Sequence, residues 1–244
     1  STNVTYVMTE KGLMRADWDE SKQKNVYRNA LASFSEYLLQ DMTQKDLNDP
    51  QKFQKQKTAI MQAYELLDEE EQEEYLEKYG VLIGREPESY TEYVKLDVSK
   101  LTGFAESEQG GNESAASAVD GDESTFWHSN YGNGAKPNLA EGVNNSYTIL
   151  LDENTDIGKL EYVPRNGGEN GVILSFTLSY SEKETGEDFQ EIKVRSHRWE
   201  ENDSTKSVEF YAPNARRIRM KVLATAGTPA DTYISAAEFR LYER

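Results

Sequence analysis

The chain of 244 residues contains no cysteine and only two histidines, and positive side chains are a minority of its charges. The lack of cysteine excludes disulfides, thiolate metal sites and cysteine nucleophiles. The 27 Lys and Arg residues against 44 Asp and Glu give a net charge of −17, which repels phosphate backbones and anionic lipid headgroups. Nucleic acids and anionic membranes are therefore not expected as partners.

The sequence also lacks an uninterrupted apolar run of about 18 residues, the length that a membrane-spanning helix requires. Its first residues, STNVTYVMTEKG, do not show the basic and then apolar order of a signal peptide. The chain is therefore expected to be soluble as given. If the protein is exported, we expect a targeting segment to have been removed.

The first third has the three-to-four spacing of apolar residues that is typical of amphipathic helices. NVYRNALASFSEYLLQDM, the segment that begins NDPQKF, and LDEEEQEEYLEKYG each place apolar side chains on one face. Asp49 and Pro50 suit the start of the second helix, and Gly80 suits the end of the third. We therefore predict a small α-helical bundle in residues 1–95. The acidic run 68–74 is better explained as a solvated helix start than as a cation or partner site.

From about Leu96 the sequence consists of short runs separated by Gly, Asn and Asp turns. VILSFTLSY and RRIRMKVL alternate between apolar and polar residues, and SYTILLD and KSVEFYA add further strands at regular spacing. This pattern favours an antiparallel β-sandwich or jelly roll over a parallel sheet. The predicted fold class is therefore α + β in two domains, a helical domain in 1–95 and a β-sandwich in 96–244. GREPESYTEYVKLD is the expected boundary segment.

The stretch VDGDESTFWHSNYG combines acidic residues, a threonine and one of the two histidines. Calcium prefers a shell of oxygen atoms, and Asp120, Asp122 and Thr125 can supply carboxylate, carbonyl and hydroxyl oxygens. The spacing is not that of an EF-hand, which needs a glycine and a glutamate at positions that hold Thr125 and Tyr131. Glu238, beside apolar neighbours in the last strand, is the candidate for a distant ligand. From the residues alone, a calcium site and a plain Asp-Gly turn both remain open.

Three separated motifs carry a resemblance to a known family. They are the turn A-x-D-G-D-x-x-T-x-W-H-S, the segment Y-x-P-R followed by N-G-x-I, and the terminal A-A-E-F, in this order. Residues 96–244 resemble the discoidin or coagulation factor 5/8 type C domain and, within it, bacterial family 32 carbohydrate-binding modules. The resemblance does not extend to the first third. It implies a discoidin-like jelly roll with a structural calcium ion.

By position, the resemblance implies a calcium site at the turn and a sugar site beside it. The implied calcium ligands are the side chains of Asp120, Asp122, Thr125 and Glu238 and backbone oxygens near Ala118 and Ala237. The implied sugar-binding residues are His128, Arg165 and Asn170, with Tyr131, Trp199 and Tyr233 as candidates for a ring that packs on the sugar. Without the resemblance, His128 would be a satisfied loop histidine. Trp127 is expected in the core.

No motif supports catalysis. G-x-S-x-G and H-E-x-x-H are absent, and RNGGENG lacks the glycine spacing of a phosphate-binding loop. We therefore expect a non-catalytic, calcium-stabilised glycan-binding module in an exported or cell-surface bacterial protein. Galactose-type sugars and N-acetylhexosamines are the expected ligands. The alternative is a protein-interaction or adhesin scaffold without a sugar site, in which the helical domain makes the contact.

Overall fold

The chain forms two compact units, Ser1–Ser89 and Tyr90–Arg244. The computed structural model describes residues 5–10, 12–30, 49–67, 69–83, 93–167, 170–194, 198–228 and 231–244. In this part of the chain, no helix is both long enough and apolar enough to cross a membrane.

In its described residues, the first unit contains a three-stranded antiparallel sheet and two helices. The strands are β1 (Thr5–Thr9), β2 (Gly12–Asp19) and β3 (Lys24–Asn29), in the order β1-β2-β3, and the helices are α1 (Pro50–Tyr64) and α2 (Glu69–Ile83). Asp49 caps α1 as predicted, because its Oδ1 accepts hydrogen bonds from the backbone N–H groups of Gln51 and Lys52. Phe53, Tyr64, Tyr75 and Leu76 form the buried cluster of the two helices.

The predicted helical bundle in residues 1–95 is wrong. Tyr27, expected on the first helix, lies on β3 opposite Ala16 of β2. The rest of that segment from Leu31 to Met42 lies outside the described residues. Cross-strand pairing with β2 stabilises the extended form here, and this tertiary effect is invisible to a periodicity count along one segment. Gly80 does not end α2 either, since the helix continues to Ile83. The alternative function that relied on a helical domain loses its structural basis.

The second unit is an antiparallel β-sandwich, as predicted. Its strands are β4 (Val94–Lys95), β5 (Leu101–Ala105), β6 (Trp127–His128), β7 (Ser146–Val163), β8 (Ile173–Ser181), β9 (Gln190–Ile192), β10 (Lys206–Thr225), β11 (Ser235–Ala236) and β12 (Glu238–Glu243). The main sheet has the order β4-β12-β7-β10-β8-β9, β5 also pairs with β7, and β11 pairs with β6.

The long strands β7 and β10 build both layers of this sandwich. The first half of β7 pairs with β5, and its second half pairs with β12. Between these halves, the β7–β10 register shifts at three places from Glu209 to Arg217. Such bulges bend a strand and increase its twist, so one strand can pass from one layer to the other.

The core lies between the layers and follows the predicted alternation. Val172, Leu174, Phe176, Leu178 and Tyr180 are buried on β8 and its approach, and Ile218, Met220 and Val222 are buried on β10. Trp127 is buried as predicted, and its indole N–H donates to the carbonyl of Ser107 at 3.0 Å. Arg217, a polar position of the alternating RRIRMKVL run, is nevertheless buried beside the Phe189 ring and donates to the carbonyls of Lys183 and Gly186.

Candidate functional site

The turn that contains Asp120 and Thr125 folds onto the start of β12. The N–H of Gly121 donates to Oε1 of Glu238 at 2.7 Å, and Gly121 adopts the positive φ of 85° that favours glycine. The Thr125 hydroxyl lies 2.7 Å from Oδ2 of Asp120 and 2.8 Å from the carbonyl of Asp122. Residues more than a hundred positions apart in the sequence therefore meet at one point.

Glu238 is the buried acid of this turn. It is 1% exposed, and its Oε2 has no hydrogen-bond partner. Burial raises the pKa of Glu238 above its usual value, the Asp120 carboxylate raises it further, and the Gly121 hydrogen bond acts in the opposite direction. Two neighbouring carboxylates with an unpaired buried oxygen are the arrangement that a cation would stabilise. These two carboxylates therefore suit a cation.

The other residues predicted as calcium ligands, Asp122, Ala118 and Ala237, have different surroundings from those of Glu238. The Asp122 carboxylate is bonded within its own turn, because its Oδ1 accepts from the N–H and hydroxyl of Ser124 at 2.9 and 2.6 Å. Ala118 and Ala237 are buried. Within the described residues, no group of three or more His, Cys, Asp and Glu side chains could hold a metal. A cation here would therefore depend on Asp120, Glu238 and neutral oxygens such as that of Thr125.

The second half of the same stretch leads to the pairing of β6 with β11. His128 lies opposite Ser235 in that pairing. The His128 ring contacts two tyrosines, with centroid distances of 5.1 Å to Tyr131 and 5.5 Å to Tyr233. Tyr131 is 42% exposed, whereas His128 is buried and Tyr233 is half-buried. The histidine therefore lies beneath an accessible aromatic surface.

Arg165 and Asn170 lie on the loop between β7 and β8, and Arg165 is close to His128. The region formed by His128, Tyr131, Tyr233, Arg165 and Asn170 is called the His128 end of the sandwich. Nη2 of Arg165 donates to Oδ1 of Asn170 at 3.4 Å, and Nε of Arg165 is buried without a partner. Gly171 places this loop beside β11, because its carbonyl accepts from the N–H of Ser235 at 2.9 Å. A Cβ on Gly171 would lie 2.8 Å from the Ser235 hydroxyl oxygen, and its φ is 86°, so only glycine suits this close approach.

Burial and hydrogen bonding fix the state of the His128 ring. Its Nδ1 lies 2.7 Å from the carbonyl of Ser129, so this nitrogen carries the proton and donates. Burial lowers the pKa of His128 below its usual value and Arg165 lowers it further, whereas the Ser129 bond and Glu113 raise it. The imidazole is therefore neutral near pH 7, and Nε2 is a hydrogen-bond acceptor.

Glu113 is a residue of this end that the sequence analysis missed. The Tyr131 hydroxyl donates to Oε1 of Glu113 at 3.3 Å, and Oε2 of Glu113 is buried without a partner. The backbone N–H of His128 donates to the carbonyl of Glu113 at 3.2 Å. In a chain with 44 acidic residues, only the nearby G-G turn in ESEQGGNES could have indicated that Glu113 folds back towards His128.

Trp199 does not offer an accessible ring at the His128 end. It is 8% exposed and lies between Tyr162, which it stacks on at 5.5 Å, and Phe176, at 4.4 Å. The structure therefore places Trp199 in the core and not at an accessible surface, which argues against it as the ring that packs on a sugar. Of the sequence-predicted sugar residues, His128, Tyr131, Tyr233, Arg165 and Asn170 are brought together.

The described geometry is that of a sandwich with a carboxylate turn and a polar, aromatic end. The family model of the F5/8 type C domain matches residues 102–239, more than half of the chain. The chain belongs to the F5/8 type C domain family. A Clostridium perfringens family 32 module of a family 31 glycoside hydrolase is 32% identical to this F5/8 type C domain, with a TM-score of 0.52. The likeness covers 62% of this chain and 95% of that one.

Two further relatives share this F5/8 type C region. A family 32 module of a family 89 glycoside hydrolase from Clostridium perfringens, solved with GalNAc-β-1,3-galactose, is 30% identical over 60% of this chain and 98% of that one, with a TM-score of 0.49. The A type blood N-acetyl-α-D-galactosamine deacetylase of Flavonifractor plautii is 28% identical over 152 residues, 62% of this chain and 18% of the deacetylase. The chain spans about a fifth of the length of the curated relatives it matches.

Proposed function

We propose that the β-sandwich is a non-catalytic module that binds a neutral glycan at the end formed by His128, Arg165 and Asn170. The observation that carries the proposal is the meeting of these polar groups with the accessible ring of Tyr131. Family membership and the likeness to a family 32 module support it. A galactose-type sugar or an N-acetylhexosamine is the proposed ligand class, in line with the name of the Flavonifractor deacetylase.

Each side chain has a distinct task in this proposal. Nε2 of neutral His128 accepts a hydrogen bond from a sugar hydroxyl, and Glu113 can accept a second. Arg165 and the Asn170 amide donate to hydroxyl oxygens, as forked donors do with vicinal oxygens. The exposed Tyr131 ring can pack on the apolar face of the pyranose. One shallow site of this kind binds weakly, so display on a multivalent surface or in a larger assembly would raise the affinity.

We further propose that calcium stabilises the sandwich at Asp120, Thr125 and Glu238. The unpaired, buried Oε2 of Glu238 supports this site. A bound calcium ion would neutralise the two carboxylates and hold the turn against β12. Weak calcium sites are occupied at the calcium concentrations found outside cells. The proposed glycan site and calcium site therefore both suit an exported or cell-surface protein.

Isothermal titration with galactose, N-acetylgalactosamine and N-acetylglucosamine tests the sugar site. We expect a dissociation constant on the order of 0.1–1 mM for at least one sugar. His128→Ala and Arg165→Ala should each weaken binding by about 10-fold or more, because each removes a proposed hydrogen bond to the sugar. Lys100→Ala, on an exposed Lys100–Glu153 ion pair, is the matched control and should bind as the unaltered chain does. Sugar binding that survives in both site variants would overturn the proposal.

A further inference from the structure

The first strand of the first unit is an open sheet edge with large apolar side chains. In the described part of the chain β1 pairs with β2 alone, and all five of its residues are exposed. Tyr6 is 57% exposed and Met8 is 74% exposed. Proteins usually protect an exposed edge with lysine, proline or a bulge, and the sequence TYVMT contains no charge, proline or glycine. This edge is therefore suited to pairing with another strand.

The hairpin geometry shows which backbone groups of β1 face outward. Thr9 pairs with Gly12 across a two-residue turn, and Val7 pairs with Met14. In such a hairpin the closing pair is hydrogen-bonded, and bonding alternates along the strand. Thr9, Val7 and Thr5 therefore bond to β2, while the N–H and C=O groups of Tyr6 and Met8 point to the open edge.

The order of residues in β1 is self-complementary about Val7. An antiparallel pair of two β1 strands centred on Val7 places Thr5 opposite Thr9, Tyr6 opposite Met8 and Val7 opposite Val7. The outward groups of Tyr6 and Met8 then meet as hydrogen-bonded pairs, and Val7 occupies the closer, non-bonded position on the two-fold axis. Aromatic–aliphatic and Thr–Thr cross-strand pairs are favourable.

Side chains of β2 next to β1 would extend the apolar contact between the two copies. Met8 lies opposite Leu13 of β2, and Tyr6 lies opposite Arg15. Pairing of two β1 strands would therefore place Leu13, Met8 and the Tyr6 of the second copy in one row across the sheet, where Leu13 and Tyr6 are exposed in the single chain. The opposite edge, β3, begins with the exposed Lys24, and lysine on an edge strand opposes edge pairing.

We propose that β1 is a self-association strand that pairs with β1 of a second copy of this chain. The two three-stranded sheets would become one six-stranded antiparallel sheet with a two-fold axis at Val7. The interface is isologous, since the same strand serves both copies, and it closes without exposing a new edge. Its small area places it among weak, concentration-dependent interfaces. The inference stands on the first unit and does not depend on the proposed sugar site.

Sedimentation equilibrium of the full chain, from about 5 to 500 µM, tests the proposal in the range expected for a weak interface. The apparent mass should rise from 27.8 kDa towards twice that value. Val7→Lys and Val7→Glu should each weaken self-association by about 10-fold or more, because like charges would lie directly opposite on the axis. A one-to-one mixture of the two variants should regain association, because opposite charges then meet.

The matched control is Asn25→Lys, which adds the same charge on exposed β3. It should associate as the unaltered chain does, and the recovery of association in the mixture shows that the Val7 variants fold. A chain that remains monomeric at 500 µM, the top of the chosen weak-interface range, would overturn the proposal. Association that persists in both Val7 variants, or a mixture that stays monomeric, would also overturn it.

Discussion

The turn at Asp120 and the end at His128 are separated by a few residues, yet they arrange charge in opposite ways. At the turn, two carboxylates of the same sign, Asp120 and Glu238, face each other with an unpaired buried oxygen. At the other end, a guanidinium and a carboxylate, Arg165 and Glu113, lie about a neutral imidazole. Buried like charge favours a cation, whereas balanced donors and acceptors favour a neutral polyhydroxyl ligand.

The two sites also differ in access. Glu238, the first residue of β12, is covered by the turn and is buried. Tyr131 and Arg165 keep exposed surface around the buried His128. We therefore expect the turn to act on stability and the His128 end to act on binding, and substitutions that affect one property should leave the other unchanged.

The largest expected effect lies in the core next to the binding end. Trp199→Ala should reduce the free energy of unfolding by about 3–5 kcal/mol, because it removes a buried ring packed on Tyr162 and Phe176. Urea denaturation measures this loss. Sugar affinity of the folded fraction should not change, and a selective loss of sugar binding without destabilisation would return Trp199 to the sugar site.

Glu238→Gln should remove the stabilisation by calcium, about 2–3 kcal/mol when calcium is present at 100 times its dissociation constant. In chelator the variant should be at least as stable as the unaltered chain, because the like-charge contact with Asp120 is gone. Thermal melts with calcium and with chelator measure both. Asp152→Asn, an exposed acid, is the control and should retain the calcium response. An equal calcium response in Glu238→Gln would refute the cation site.

Tyr131→Ala should weaken sugar binding by about 10-fold, which corresponds to an aromatic contact of up to about 1.5 kcal/mol. Tyr131→Phe keeps the ring and loses only the 3.3 Å bond to Glu113, so its affinity should stay within about twofold of the unaltered chain. Isothermal titration of both variants separates the contribution of the Tyr131 ring to sugar affinity from that of its hydroxyl. If Tyr131→Phe binds as poorly as Tyr131→Ala, the hydroxyl and not the ring carries the contact.

The smallest expected effect is a pH dependence. The pKa of His128 lies below its usual value of about 6.5, because burial and Arg165 oppose the charged ring. Sugar affinity should therefore be constant from about pH 8 to 6.5 and fall at lower pH, where protonation of Nε2 removes the acceptor. His128→Gln retains an acceptor that does not titrate. Its affinity should be flat over this range, and an equal acid loss in this variant would exclude His128 as the cause.

Local sequence signals account for the parts that could be predicted. The Asp120–Thr125 turn, the strand alternation on β8 and the burial of Trp127 depend on neighbours in sequence. Glu113 and Trp199 depend on long-range folding, because one is placed by a bond to His128 and the other by stacking on Tyr162. The sequence of β3 has the apolar spacing of a helix, but its pairing with β2 makes it a strand, and this pairing also depends on long-range folding.

Thermal melts of the unaltered chain and of Arg165→Ala test the separation of the two sites most directly. Each is measured with chelator, with calcium, and with calcium plus galactose, N-acetylgalactosamine or N-acetylglucosamine. Calcium should raise the melting temperature of both chains by a similar amount, and a sugar should add a further rise in the unaltered chain alone. An equal sugar-dependent rise in Arg165→Ala, or no sugar response in either chain, would contradict a glycan site at this end of the sandwich.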